Sequence, residues 1–317
     1  MSSPLATKTY VALVRGEGVL RGEDLQSRGW FKVDRPIKDE RGQLNDATTH
    51  FLFVAGRSED MESDRPRASI VLARPETGRW HQVRRHLNGL SHPILGDTSH
   101  GASKVNREWK ERRNMPGQRT CLHLARLQLP PTEFTPDGLD VACPLPDDMR
   151  AMLDVHLPGL LEEARPTLEG EGVLVDPPDD NAYEVLPYER TDAAAAKRRA
   201  KAAADAAPLE VLSRGPHHVV VSKPPAVVCH HSAWTGKRSE PSRRTAEPTP
   251  MLQRVRDEAG DGQMVNLVHR LDRGASGCLV CAFLGEDDDD IKERGDKTAT
   301  AALVEALRSD EAVKTYA

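Results

Sequence analysis

Asp272 lies in a polar turn between two arginines, within residues 269–277 (His-Arg-Leu-Asp-Arg-Gly-Ala-Ser-Gly). The apolar run that follows, 278–283, has the residue types of a β-strand. A carboxylate at the mouth of a strand, kept ionised by neighbouring cations, can accept a proton or attack carbon. A single aspartate between arginines is also typical of a surface ion pair. These residues alone leave both interpretations open.

Residues 78–119 are strongly basic, although the chain as a whole carries a net charge of −5. This segment holds nine Lys and Arg residues against three acids, whereas acids concentrate in 162–192 and 286–290. A local basic field can bind phosphates while the total charge stays negative. A solvated charged face is an equally weighted alternative.

The composition indicates a folded protein without a membrane span. The 317 residues suffice for one large or two ordinary domains, and the mean hydropathy of −0.57 predicts long polar segments. No apolar run approaches the ~20 residues of a membrane helix, and the first ten residues lack a secretory pattern. We therefore expect a soluble, intracellular protein in the cytoplasm, with an organelle or the nucleus as alternatives.

The five cysteines predict a reducing environment and no disulfide framework, because their number is odd and they lie in apolar contexts. Cys278 and Cys281 form a C-x-x-C pair. Residues three apart in a strand point to opposite faces, so they cannot share one metal ion. Adding Cys229, His230 and His231 produces no standard ligand spacing. We expect no metal.

Hydrophobic patterning predicts a strand-rich chain with few helices. Strands are expected at 8–15, 50–55, 68–73, 121–129, 219–221 and 278–283, with short strands and loops over 17–48 and a hairpin loop over 56–67. Helices are expected at 79–87, 146–164, 251–259 and 299–307. The first of them is expected to be capped by Thr77, to bury Trp80, Val83 and Leu87 at helical spacing, and to break at Gly89.

Residues 165–208 differ in composition from their surroundings, with Pro, Asp and Glu followed by an Ala, Lys and Arg tract. The lack of apolar anchors predicts a low-complexity linker with an r.m.s. span of roughly 35 Å. It separates the segments 1–164 and 209–317. The basic stretch 235–250 is expected to be a disordered loop. The tripeptide Lys-Thr-Tyr occurs twice, at 8–10 and at 314–316.

Four motifs together resemble those of the RluA-type pseudouridine synthases. They are 269–272 (His-Arg-Leu-Asp) with Ser276-Gly277, Lys223-Pro224, Lys8-Thr9-Tyr10, and 78–86 (Gly-Arg-x-His-Gln-x-Arg-x-His) followed by His92-Pro93 and Gly96-Asp97. The resemblance covers nearly the whole chain outside 165–208 and 235–250. It implies an α+β fold with a mixed, largely antiparallel central sheet and flanking helices. It also implies an enzyme that isomerises a uridine in RNA to pseudouridine.

Several further residues are similar to the TruC branch of that family, which modifies uridine at position 65 of some tRNAs. They are Arg84-Arg85-His86, His100, Asn106-Arg107, and the loop with His231-Ser232 and Trp234. The resemblance therefore implies tRNA as the partner. The alternatives are an rRNA or another tRNA site, since no motif encodes RNA shape recognition, and a catalytically silent RNA-binding protein.

The order of the motifs differs from that of the family, in which the Lys-Pro and His-Arg-Leu-Asp motifs come first. Here 209–317 corresponds to the first half of one catalytic domain and 1–164 to its second half. This order is expected of a circular permutant whose linker, 165–208, joins the original ends. The repeated Lys-Thr-Tyr would mark the cut. An incorrectly assembled gene would leave the same overlap.

The resemblance assigns three catalytic residues. Asp272 acts at the ribose C1′ as a nucleophile or as a base, and Arg84 is the fixed cation that keeps it ionised in a dry pocket. Tyr10 is the stacking candidate for the flipped base, with a core tyrosine as the alternative and Tyr316 as its rival. His269, His81 and His86 are interpreted as structural hydrogen-bonding groups.

Basic residues around these motifs are expected to contact RNA phosphates. They are Arg270, Arg273, Arg79, Arg85, Arg107, Arg112 and Arg113. For Arg270 and Arg273 the alternatives are displacement of the base and simple salt bridges. Trp109 and Trp234 are each expected to be packed rather than to stack on RNA. The reaction needs no cofactor and no metal, and the chain is expected to be a monomer.

Overall fold

A computed structural model describes residues 6–60, 65–176, 201–230, 247–284 and 298–312. Its strands are β1 (Thr7–Arg15), β2 (Val19–Leu20), β3 (Glu23–Asp24), β4 (Phe31–Asp34), β5 (Ile37–Lys38), β6 (Leu44–Asn45), β7 (Thr48–Arg57), β8 (Ala68–Pro75), β9 (Leu122–Leu129), β10 (Leu139–Ala142), β11 (Val211–Arg214), β12 (His218–Lys223), β13 (Met264–Leu267) and β14 (Ser276–Leu284). Its helices are α1 (Gln82–Gly89), α2 (Ser103–Arg112), α3 (Asp147–His156), α4 (Leu160–Gly170), α5 (Met251–Ala259) and α6 (Ala299–Ala312).

One ten-stranded sheet organises the molecule, in the order β11-β12-β14-β9-β1-β8-β7-β4, with β10 paired to β9 and β13 paired to β14. The pairings are antiparallel except that β14 runs parallel to β9. The predicted fold class is therefore confirmed: the sheet is mixed, largely antiparallel and flanked by helices.

Strand β9 joins the segment before the linker to the segment after it. Ser276 lies beside His123, and Gly277 beside Leu124. The strands approach so closely at this point that a Cβ on Gly277 would lie 2.3 Å from the Leu124 carbonyl oxygen, and the φ of Gly277 is +118°. A side chain there would separate the strands, so the junction depends on glycine.

Two apolar cores meet at this strand. Leu122 and Ala125 of β9 join the core formed with β1, β7, β8 and helices α1, α3 and α4. Leu124 and Leu127 join the core formed with β12, β13, β14, α5 and α6. Tyr10 packs against both cores.

The predicted strands are confirmed, each within a few residues of its expected bounds, and so are the helices at 251–259 and 299–307. Residues 17–48 form short strands, as expected. None of the helices in the described ranges combines the length and apolar content needed to cross a bilayer.

The helix predicted at 79–87 was wrong at its start. Helix α1 begins at Gln82, after His81 adopts a left-handed backbone conformation with φ of 54°. Thr77 does not cap it, because its hydroxyl donates to the Gln82 side chain instead, at 2.7 Å. Val83 and Leu87 are buried as expected, but Trp80 lies before the helix and is exposed.

The single helix predicted at 146–164 was also wrong, since it is two helices. Helix α3 ends at His156 and α4 begins at Leu160. Pro158 and Gly159, with a φ of +79° at the glycine, make the turn between them.

The expectation that the tract from 165 lacks apolar anchors does not hold for residues 165–176. Helix α4 continues to Gly170, and Leu168, Val173 and Val175 are buried in the first core. Residues 201–206 are helical. The middle of the predicted linker, the loop at 231–246, the acidic run and the second Lys-Thr-Tyr with Tyr316 lie outside the described residues.

Candidate active site

Arg84 connects two carboxylates at the centre of the site. Its Nε and Nη2 donate to Asp97 at 2.8 and 2.7 Å, and its Nη1 donates to Asp272 Oδ2 at 2.8 Å. The Arg84 side chain is 7% exposed and that of Asp272 is 35% exposed. The guanidinium is therefore anchored on its buried side, and the Asp272 carboxylate remains accessible on its other side.

Asp97 is held by the loop that carries it. Its Oδ1 accepts the backbone N–H groups of Ser99 and His100, each at 2.9 Å. Asn106 of helix α2 accepts the Gly96 N–H at 2.9 Å and donates to the Asp97 carbonyl oxygen at 2.7 Å. These bonds hold Asp97 in place, and the Asp97 carboxylate in turn fixes the direction of the Arg84 guanidinium.

The turn that carries Asp272 is held by a buried ammonium group. Lys223 Nζ donates to the carbonyl oxygens of Pro224 at 2.8 Å, Arg273 at 3.2 Å and Ala275 at 2.7 Å. These three acceptors match the three N–H bonds of an ammonium. The Lys-Pro motif thus supports the backbone on the C-terminal side of Asp272.

A second group holds the same turn from the segment before β9. Arg119 Nη1 donates to the Ser276 hydroxyl at 2.9 Å and to the Gly274 carbonyl oxygen at 3.2 Å. A Cβ on Gly274 would lie 2.5 Å from Thr120 Oγ1, so this contact depends on glycine. Arg119 is itself fixed by a buried ion pair with Asp148 of helix α3, at 3.0 Å.

His81 lies on the other side of the Asp272 carboxylate, with Nε2 at 3.7 Å from Oδ1. Its Nδ1 shares a hydrogen bond with His100 Nε2 at 3.0 Å. Burial lowers the pKa of His81 to about 4, outweighing the nearby Asp272 charge. At neutral pH the ring is therefore uncharged, and Arg84 is the cation that faces Asp272.

Tyr10 lies on the central strand β1 and lines the same cleft as Asp272. Burial, and next the charge of Asp272, raise the pKa of the Tyr10 phenol well above its usual range. The phenol therefore stays protonated. Its flat ring borders both the cleft and the cores, which is suitable for holding a planar base.

For both Arg84 and Asp97, hydrogen bonds and opposite charges together affect the pKa more than burial does. Burial alone would lower the pKa of Arg84, but the bonds to Asp97 and Asp272 raise it. Burial alone would raise the pKa of Asp97, but its bonds to Arg84 and the backbone lower it. Both groups remain charged at neutral pH.

An open cleft of about 1250 Å³ is lined by Tyr10, His81, Arg84 and Asp272. Four of the arginines proposed from the sequence lie on its wall: Arg79, Arg84, Arg270 and Arg273. Arg79 donates to the Asp46 carbonyl oxygen at 2.9 Å, and Arg273 makes a bidentate pair with Glu247 at 3.0 and 3.1 Å. Arg270 is exposed.

The remaining arginines lie outside the cleft wall. Arg85 is half-buried and donates to the Lys38 carbonyl oxygen at 2.7 Å. Arg107 and Arg112 are exposed on helix α2. Arg113 is 4% exposed and pairs with Glu108 at 3.6 Å. Its side chain lies in the interior, which does not favour the phosphate contact expected from the sequence.

The histidines interpreted as structural behave in two ways. His86 bonds Thr49 Oγ1 at 2.9 Å and the Arg35 carbonyl oxygen at 3.0 Å, and His269 accepts the Val280 N–H at 3.2 Å. Both are structural. His81 instead faces the Asp272 carboxylate.

Sequence reasoning assigned no role to Asp97, Asn106 or Arg119. Asp97 belongs to the Gly96-Asp97 pair that follows the motif at 78–86, and that position was the available signal for a partner of Arg84. No local signal marked Arg119. Trp109 is buried, as expected, whereas Trp234 lies outside the described residues.

Residues 217–287 match the family model described as RNA pseudouridylate synthase. The chain is 32% identical over 155 residues to tRNA pseudouridine synthase C of Salmonella typhimurium, covering 43% of this chain and 58% of that protein. It is 33% identical over 127 residues to tRNA pseudouridine synthase C of Vibrio vulnificus, covering 38% and 51%. The match confirms the resemblance of the motifs. The chain spans about half the length of the curated relatives it matches.

Among solved structures, the chain is similar to Human RNA Pseudouridylate Synthase Domain Containing 1, with 25% identity and a TM-score of 0.32 over 44% of this chain and 54% of that chain. It is also similar to Human RNA Pseudouridylate Synthase Domain Containing 4, with 20% identity and a TM-score of 0.33 over 47% and 61%.

Proposed function

We propose, on the premise that residues 217–287 carry the sequence of the RNA pseudouridylate synthase family, that this chain is an RNA pseudouridine synthase. The observation that carries the proposal is the contact of Arg84 with Asp272 in an open cleft lined by Tyr10. These are the three residues that the motif resemblance assigns to catalysis. Their meeting from distant parts of the sequence supports one shared role.

The proposed reaction is an isomerisation within one nucleotide. The bond from uracil N1 to ribose C1′ breaks, the uracil turns, and a bond from its C5 to C1′ forms. The proton on C5 leaves and N1 acquires one, so atoms balance without a cofactor. Asp272 acts at the sugar as a nucleophile or as a base, and Arg84 holds its carboxylate in place through the Nη1 hydrogen bond.

The target uridine must leave its stem before Asp272 can reach C1′. Tyr10 is proposed to hold the base by its ring, since its phenol stays protonated and is unsuited to act as a phenolate. Arg79 and Arg270 on the cleft wall, with Arg107 and Arg112 on helix α2, are proposed to contact phosphates. Arg85 and Arg273 could join them by exchanging their present partners.

We propose tRNA as the substrate, because the relatives matched in sequence are named tRNA pseudouridine synthase C. A site similar to position 65 is proposed from the resemblance of the motifs to the TruC branch. A monomer in the cytoplasm completes this proposal.

The order of the halves is proposed to be a genuine circular permutation. In its support, the parallel pairing of β14 with β9 makes one continuous sheet from both segments, and both contribute to the second core. A monomer that melts in a single cooperative transition is the expected result for the purified chain. Separate transitions, or aggregation, would indicate an incorrectly assembled gene product.

The activity is tested by mapping pseudouridine in unfractionated tRNA incubated with the purified chain. We expect pseudouridine at one tRNA position for the wild type and none for Asp272→Asn. Asp140→Asn is the control, because Asp140 likewise accepts hydrogen bonds from an arginine, Arg126, but lies outside the cleft. If neither the wild type nor Asp272→Asn forms pseudouridine while both bind tRNA, the chain is a silent RNA-binding protein. Pseudouridine formed equally by both proteins would show that Asp272 is not the catalytic carboxylate.

A further inference from the structure

Trp80 presents an unusual surface. Among the large apolar side chains exposed in the described ranges, it is the aromatic one, and 53% of it is accessible. Indole rings are normally buried or occupied by a partner, because they bury a large apolar area. Its exposure goes with the backbone: His81 adopts a left-handed conformation and helix α1 begins at Gln82, so Trp80 lies before the helix.

The exposed indole is nevertheless held in place. Its ring stacks on His81 with centroids 4.1 Å apart and an interplanar angle of 25°. The ring of His100 meets its edge at 5.9 Å and 78°. The Arg85 guanidinium lies 6.0 Å from the indole centroid, and Arg85 is anchored by the Lys38 carbonyl oxygen. An exposed ring that is already ordered loses little entropy when it binds a second ring.

Trp80 lies close to Asp272, the residue proposed to act at the ribose. His81, on which the indole stacks, has its Nε2 3.7 Å from the Asp272 carboxylate. Trp80 and Asp272 both line the cleft. One side chain therefore separates the indole from the group proposed to act at the ribose.

We propose that Trp80 is a substrate-positioning residue whose indole stacks on a nucleobase next to the target uridine. The inference rests on the proposed function. When the uridine leaves the stem, its neighbours lose a stacking partner. An indole at the cleft wall replaces that partner and holds the opened RNA beside Asp272. The neighbouring arginine adds attraction for the adjacent phosphate.

The competing explanation is that Trp80 only covers His81. Substitutions at this position separate the two explanations. Leucine keeps an apolar contact with His81 but offers no π-face, whereas phenylalanine keeps a smaller one. If Trp80 only covers His81, Trp80→Leu and Trp80→Phe should have similar activity. If it stacks on a base, Trp80→Phe should retain more activity than Trp80→Leu.

The experiment measures kcat/KM of the full chain for pseudouridine formation in unfractionated tRNA. We expect Trp80→Leu to lower kcat/KM about 5- to 150-fold, the range that one stacked base contributes, and Trp80→Phe to lower it less. The melting temperature should change little in either. Trp30→Phe is the control and should keep wild-type kinetics, since Trp30 bonds Glu171 and lies outside the cleft.

The inference is overturned if Trp80→Leu keeps wild-type kcat/KM, or if both Trp80 variants lose activity equally. A wild type that forms no pseudouridine contradicts the proposed function instead. In that case the same variants are compared by their Kd for the same tRNA. A weaker Kd for Trp80→Leu than for Trp80→Phe then supports stacking, and equal values contradict it.

Discussion

Arg84 donates from Nη1 to Asp272 at 2.8 Å although 188 residues separate the two in sequence. The same guanidinium donates from Nε and Nη2 to the buried Asp97. The orientation of the Asp272 carboxylate therefore depends on Asp97, which does not line the cleft. Asp97 acts as a positioning residue in this arrangement.

Replacing Asp97 by asparagine should lower kcat by about 10- to 1000-fold while tRNA binding is retained. The amide cannot accept both guanidinium N–H bonds, so Arg84 loses its fixed direction, and a misplaced catalytic group costs rate rather than affinity. Single-turnover kinetics and the Kd for tRNA provide the measurement, with Asp140→Asn as control. An unchanged kcat would show that Arg84 is held without Asp97.

Tyr10→Phe should keep the base-holding surface, while Tyr10→Leu should remove it. Because the raised pKa leaves the phenol protonated, a stacking role predicts that the phenylalanine variant retains far more activity than the leucine variant. A proton-transfer role predicts equal losses, since neither side chain carries the hydroxyl. Rates of pseudouridine formation at saturating tRNA distinguish the two.

The protein should lose stability as the pH falls from about 6.5 to about 4. Burial lowers the pKa of His81 to about 4 and that of His269 to about 3. In this window the unfolded chain binds protons on both rings that the native state does not bind, so the free energy of unfolding decreases. Each histidine contributes up to about 1.4 kcal/mol per pH unit.

Urea denaturation at several pH values measures this effect. His269→Gln should show a shallower acid slope than the wild type, because one of the rings with a lowered pKa is absent. Identical slopes for the wild type and the variant would mean that His269 titrates alike in both states.

Lys223 should produce a slope at alkaline pH. Burial lowers its pKa to about 7, whereas the unfolded chain holds the proton up to about pH 10.4. Between these values the unfolded state binds more protons, so the free energy of unfolding rises with pH, by at most about 1.4 kcal/mol per unit. Lys223→Met should lack this contribution.

The measurement compares the two proteins by urea denaturation at pH 7, 8 and 9. A widening gap in favour of the wild type as the pH rises is the expected result. Parallel curves would indicate that the three carbonyl oxygens keep the ammonium protonated throughout, despite its burial.

Sequence reasoning singled out Asp272, Arg84 and Tyr10 because each stands in a short motif that neighbouring residues are enough to recognise. It located most strands for the same reason, since alternation and β-branched residues are read over a few positions. It failed at Trp80, where spacing from Val83 and Leu87 implied a buried helical residue. A left-handed residue at His81 leaves no mark in hydrophobic periodicity, so the late start of the helix was invisible.

By itself, then, the sequence determined which groups are available for chemistry and which segments form strands and helices. Only the tertiary structure decided which groups meet: that β14 runs beside β9, that Arg84 has Asp97 as its second partner, and that Arg113 is interior while Trp80 is exposed. The physical reason is range. Propensity and alternation act over neighbouring residues, whereas burial and ion pairing depend on packing between segments far apart in the chain.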